Sequence, residues 1–111
     1  MIIAIHGLKG EAAQDMPTQL EKRVYYELER FASNIKHVSV RLRDENGPKE
    51  GGADKHCQIQ LTMRDGVQLV VEQRNSCWLD VVDAAAVSAS RTIERMVERD
   101  GPFRRSVTRK S

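Results

Sequence analysis

The 111-residue chain is 40% hydrophobic and 31% charged, which fits one globular domain with one core and excludes an intrinsically disordered chain. Its formal net charge of +2 does not by itself demand a nucleic-acid partner, but the distribution is uneven: residues 91–111 hold seven basic and three acidic residues, residues 1–90 eleven and thirteen. A basic end on a near-neutral body points to a polyanion contact at that end. No apolar run approaches the roughly 20 residues of a membrane span, and the start Met1-Ile-Ile-Ala-Ile-His6 is too short and lacks the basic leader of a signal peptide, so a cytoplasmic protein is expected.

Residues 2–6 are β-branched and apolar enough for a first strand. Gly7, Gly10 and Pro17 bracket a connecting loop, and Thr18 followed by Glu21 reads as a capping box opening a helix. Leu20, Val24, Leu28 and Phe31 recur at helical spacing and carry that helix to about Ser33. A second strand over 35–43 alternates an apolar face (Val38, Val40, Leu42) with a cationic one (His37, Ser39, Arg41, Arg43). The polar, glycine-rich stretch 44–55 predicts a mobile loop.

Cys57, Ile59, Leu61 and Met63 form the buried face of a third strand, with His56, Gln58, Gln60 and Thr62 on the other. Asp65-Gly66 predicts a tight hairpin into a fourth strand whose buried face is Val67, Leu69 and Val71. Asn75 or Ser76 caps a last helix with Asp80 in its first turn. Its core stripe is Trp78, Val82, Ala85, Ala89, Ile93 and Met96, and Gly101-Pro102 ends it. The order β-α-β-β-β-α predicts an α+β two-layer sandwich, two helices on one face of a four-stranded sheet. Residues 1–101 form a single domain and 102–111 a flexible basic tail.

No catalytic constellation emerges. His6, His37 and His56 each fall on or beside a strand, on a face expected to be solvated. His37 and His56 become neighbours if the second and third strands pair in a suitable register, but a third metal ligand is not visible. Cys57 and Cys77 form no CxxC pair and read as buried thiols. The expected protein is not an enzyme and uses no cofactor or metal.

The helices carry a more suggestive pattern. At about 100° per residue, Gln19, Arg23, Tyr26 and Arg30 share one stripe of the first helix. Ala84, Ser88, Arg91, Arg95 and Arg99 share one flank of the last, with Glu94 and Glu98 beside it. Packed side by side, the two stripes predict a single basic groove for RNA, with arginine forks on phosphates and Tyr26 available for stacking. A solvated face laced with Glu–Arg pairs produces the same spacing.

The strand order, the Asp65-Gly66 hairpin, the last helix and the stretch Arg41-Leu-Arg-Asp-Glu-Asn-Gly-Pro-Lys-Glu-Gly-Gly-Ala-Asp-Lys-His-Cys57 together resemble the ribosome hibernation-promoting factor family, also called ribosome-associated inhibitor or sigma-54 modulation protein, in its short form. The resemblance covers residues 1 to about 100. It implies a fold similar to the double-stranded-RNA-binding domain. It also implies binding to the small ribosomal subunit in the channel used by messenger and transfer RNA, with translation blocked under stress. On that pattern Arg30, Arg74, Arg91 and Arg95 keep the family's positive charge, whereas Ser88 and Glu27 stand where the family has basic residues. With Arg23, Tyr26 and Arg99 added from spacing, these are the expected RNA-binding residues. The alternative is a protein-interaction module of the same fold that has lost ribosome binding and uses the exposed sheet face of Ser39, Arg41, Gln58 and Gln60.

Overall fold

A computed structural model describes residues 1–8, 12–44 and 55–100, apart from the side chains of residues 12, 13 and 98–100. The elements are β1 (Ile2–His6), α1 (Ala12–Leu28), a short 3-10 segment (Glu29–Asn34), β2 (Ile35–Asp44), β3 (Lys55–Met63), β4 (Gln68–Asn75) and α2 (Trp78–Asp100). The glycine-rich loop, the Gly101-Pro102 stop and the basic tail lie outside the described residues.

The sheet runs in the order β1-β2-β3-β4. β1 and β2 are parallel, joined through α1, and β2, β3 and β4 are antiparallel. The alternation of β2 and β3 sets the register: Val38 faces Leu61, Val40 faces Ile59 and Leu42 faces Cys57. All six are buried on the helix side of the sheet. A register shift between Ile35 and His37 places two β2 residues against one of β3. Such a bulge reverses the parity of the strand. It lets Ile35 enter the core with Met63 while His37 stays on the open face.

Leu20, Val24 and Leu28 of α1 and Val81, Val82, Ala85, Ala86, Ala89 and Ile93 of α2 close that core. Each of the larger side chains contributes about 1.5–3 kcal/mol on burial. The alanines of α2 let that helix approach the sheet closely. At one end Lys55 bridges Asp44 at 2.8 Å and lies 5.3 Å from the Trp78 ring centre, tying the β2 and β3 ends to the start of α2.

The helix boundaries correct three expectations. α1 begins at Ala12, so Pro17 and Thr18 are interior to it and Thr18 is not its cap. The only intrahelical hydrogen bond that Pro17 itself forgoes is the one its missing N–H would have given to Ala13. The surrounding Ala, Gln, Met and Leu residues favour helix strongly enough to hold it. Toward Ser33 the α-helix gives way at Leu28 to a 3-10 turn. At α2, the Asn75 side chain accepts the Ser76 amide at 2.7 Å rather than a helix amide, and Cys77 precedes the first turn, its carbonyl accepting Val81 N–H at 2.9 Å. The hairpin forms as expected, but only Gly66 takes positive φ (95°). Gly66 N–H donates to Met63 O and Met63 N–H to Val67 O, while the Asp65 carboxylate accepts Val67 N–H. This is a three-residue loop with a glycine bulge, not a two-residue turn.

Candidate nucleic-acid interface

Among the described residues, cationic side chains gather on two surfaces: the outer surface of the helix pair and one end of the open sheet face. On the helix pair, α1 and α2 lie side by side and run the same way. Arg23 of α1 meets Asp83, and seven residues further along in each case Arg30, in the 3-10 turn after α1, meets Ser90 of α2. The Arg23 Nη1–Asp83 Oδ2 distance is 2.5 Å. The hydrogen bond and the charge of Asp83 hold the Arg23 guanidinium more firmly protonated than usual. Arg30 Nη2 donates to Ser90 Oγ at 3.2 Å, lies 3.3 Å from Glu94 Oε2, and its guanidinium sits 4.6 Å from the Phe31 ring centre. Tyr26, on the same flank of α1, is 76% exposed.

Arg91 and Arg95 are exposed on the other side of this seam. Together with Asp83, Ala84, Val87, Ser88 and Gln73 of β4 they line a groove along the outer flank of α2, so the seam acid Asp83 also borders this groove. Neither has an acidic partner among the described residues. The stripe expected on α2 is therefore present, but the single groove expected between the helices is not. Arg23 of α1 and Arg30 of the 3-10 segment are engaged by acids of α2 at the seam, and the α2 arginines lie in a groove that runs from Asp83 at the seam toward Gln73 of β4.

Arg74 departs furthest from expectation. It lies in β4 opposite His56, whose side chain is on the open face, so Arg74 sits across the sheet from both helices. The alternation that packs the half-buried Leu69 and Val71 against the core already puts an even-numbered β4 residue on the far side. The side chain of Arg99 is outside the described residues.

On the open face, cross-strand rows bring His6 beside Arg41, Gln58 and Glu72, and Arg43 beside His56 and Arg74. His56 Nε2 lies 3.1 Å from Glu72 Oε1, and Gln58 donates to Glu72 Oε2 at 3.1 Å. Those two hydrogen bonds, with the positive charge of Arg43 nearby, hold the Glu72 carboxyl below the usual carboxylate range. His56 is thus buried rather than solvated. His37 pairs with Thr62 and His56 with Arg43, so the two histidines are far apart along the strands, not neighbours. Among the described residues no group of three or more His, Cys, Asp or Glu side chains is placed to hold a metal ion. Cys57 is buried and unpaired, Cys77 half-buried. No helix among the described residues is long and apolar enough to cross a membrane.

The fold has solved counterparts. The chain superposes on the Thermus thermophilus Protein Y N-terminal domain with a TM-score of 0.62 and 17% identity, covering 86% of this chain and 93% of that one. It superposes equally, at a TM-score of 0.62 and 12% identity, on a ribosomal subunit interface protein from Coxiella burnetii, covering 88% of this chain and 99% of that one. At such identities the likeness is one of fold. No family model and no curated protein sequence matches the chain.

Asp83, Ser90 and Gln73 are the site residues that sequence reasoning left out, and Glu94 was placed beside the arginine flank without Arg30 as its partner. The acids share the helical spacing of the arginines they meet, but only the parallel packing of α1 and α2 selects those partners. Ser90 carried a signal: a hydroxyl one residue after Ala89 in the core stripe falls on the side of α2 that meets another element.

Proposed function

We propose that the chain is a ribosome-associated translation inhibitor of the hibernation type. It docks the outer surface of its two helices on small-subunit RNA and excludes messenger and transfer RNA by occupying their channel. The observation that carries this reading is the likeness in fold to Protein Y and to a ribosomal subunit interface protein over nearly the whole chain. The exposed guanidinium groups of Arg91 and Arg95, in no ion pair among the described residues, support it, since a guanidinium matches phosphate geometry in two-point contacts. Tyr26, exposed between Arg23 and Arg30, offers a ring for base or ribose stacking. The mechanism is steric occupancy in the cytoplasm, with no bond chemistry, cofactor or metal, and the chain is not an enzyme. Membership in the hibernation-promoting factor family, short form, is part of this proposal, as are a small-subunit partner and a stress-linked role.

A second reading has its own support. Acids engage Arg23 and Arg30, and Ser88 and Glu27 stand where the family resemblance implies basic residues. A protein-interaction module would then use the open face, where Ser39, Arg41, Gln58 and Gln60 stand together. Gradient fractionation of stationary-phase cell extracts separates the two. The ribosomal reading predicts the chain in small-subunit or whole-ribosome fractions and its release by nuclease. Recovery of one protein partner that persists after nuclease, with the chain at the top of the gradient, would reject it in favour of the second.

A further inference from the structure

We propose that Asp83 and Glu94 are built-in competitors for RNA phosphate. They hold Arg23 and Arg30 across the α1–α2 seam and release them only to a dense polyanion. The inference deepens the RNA-contacting reading of the helical surface and rests on it.

The geometry is specific. Both pairs cross the same seam, Arg23 to Asp83 and Arg30 to Glu94, with Ser90 adding a hydrogen bond to Arg30. The two arginines are seven residues apart, Arg23 on α1 and Arg30 in the 3-10 turn that continues it, about 10 Å along the axis. All four charged side chains are 40–58% exposed, so a ligand reaches them without opening the core. A carboxylate occupies the same N–H edge of a guanidinium that a phosphate would take. Exposed ion pairs are weak and screened by salt, so the acids can be displaced. Displacement nevertheless leaves two carboxylates facing the ligand, and their repulsion is repaid only where several phosphates arrive together. Arg91 and Arg95 share their groove with Asp83 but form no ion pair among the described residues, so they make the first contact and Arg23 and Arg30 join it second.

The test compares the native chain with Asp83→Asn/Glu94→Gln on purified small ribosomal subunits and on a uridine homopolymer. The amides keep a hydrogen bond to each arginine and remove the charge. Each additional arginine–phosphate pair steepens the slope of log affinity against log salt by about 0.7–0.9, which at about 0.1 M salt is a factor of roughly 5–8 in affinity. The double variant should bind small subunits at least about fivefold tighter, with a steeper slope, and should bind the homopolymer more tightly as well. Glu21→Gln removes one charge from the α1 flank away from the seam and should raise affinity much less than Asp83→Asn alone. Arg23→Gln should cost more affinity in the Asp83→Asn background than in the native one, a coupling that survives even if the double variant folds poorly. Equal increases from Glu21→Gln and Asp83→Asn would overturn the inference, as would an Arg23→Gln effect independent of residue 83. A native chain that binds, with a double variant that binds no tighter, overturns the inference and leaves the ribosomal reading standing. Binding by the double variant alone supports the inference, and binding by neither overturns both.

Discussion

Adding a single methyl group at Gly7 should unfasten β1. Gly7 follows the last residue of β1 at φ +104°, a region that L side chains rarely adopt. A Cβ built there lies 2.0 Å from the Leu42 carbonyl oxygen and 3.0 Å from its carbon. Both contacts are with the main chain of β2, which cannot rotate away as a side chain could. Gly66 is a matched control: its φ is +95°, and a Cβ there meets nothing within 4 Å. Gly66→Ala therefore carries only the backbone cost, about 1–2 kcal/mol. Gly7→Ala carries a similar cost plus the separation of β1 from β2 by an ångström or more. Losing one or two ladder hydrogen bonds adds about 1 kcal/mol each, for a total of about 2–4 kcal/mol. Against a domain stability of about 5–15 kcal/mol this is severe. Urea unfolding of the two variants, followed by tryptophan fluorescence of Trp78, measures both. A Gly7→Ala midpoint no lower than that of Gly66→Ala would refute the reasoning.

Two further outcomes follow from buried and bonded groups. Burial pushes the Cys57 thiol up to about 12, so at pH 8 a thiol reagent should modify Cys77 in the native protein and reach Cys57 only in denaturant. Rapid native labelling of Cys57 would contradict its place in the core. The Glu72 carboxyl is held low by Gln58 and His56. A depressed folded-state value gives stability that is full above the unfolded carboxyl range, near pH 4.3, and is lost as pH falls through the lower folded value. Glu72→Gln should flatten the acid limb of melting temperature against pH below about pH 5, and an unchanged limb would contradict the assignment.

Periodicity made most of the fold legible. Val38, Val40 and Leu42 paired with Leu61, Ile59 and Cys57 as their alternation required, and the α2 stripe from Trp78 to Met96 packs against the core. Local signals misled where a stronger local preference overrode them. Pro17 looked like a boundary, yet the helix formers on both sides of it carry α1 through. Asn75 looked like a helix cap, yet its side chain reached the nearer amide of Ser76. Three-dimensional relations between distant residues were beyond sequence reading. Whether His37 meets His56 depends on strand register, and Arg23 meets an acid sixty positions away only because α1 and α2 run parallel. The arginines were found as residues, but what holds them was not. That difference turns one expected groove into an engaged seam and a flank at Arg91 and Arg95 that shares Asp83 with it.

The central claim is that the helical surface binds small-subunit RNA, and co-sedimentation of the purified chain with small ribosomal subunits at low salt tests it most directly. The native chain should pellet with the subunits and be released as salt rises. Arg91→Glu/Arg95→Glu should lose about two phosphate contacts, weaken binding at least about tenfold and flatten the salt slope by about 1.4–1.8. A native chain that stays in the supernatant, or a double variant that pellets as the native chain does, would contradict the account.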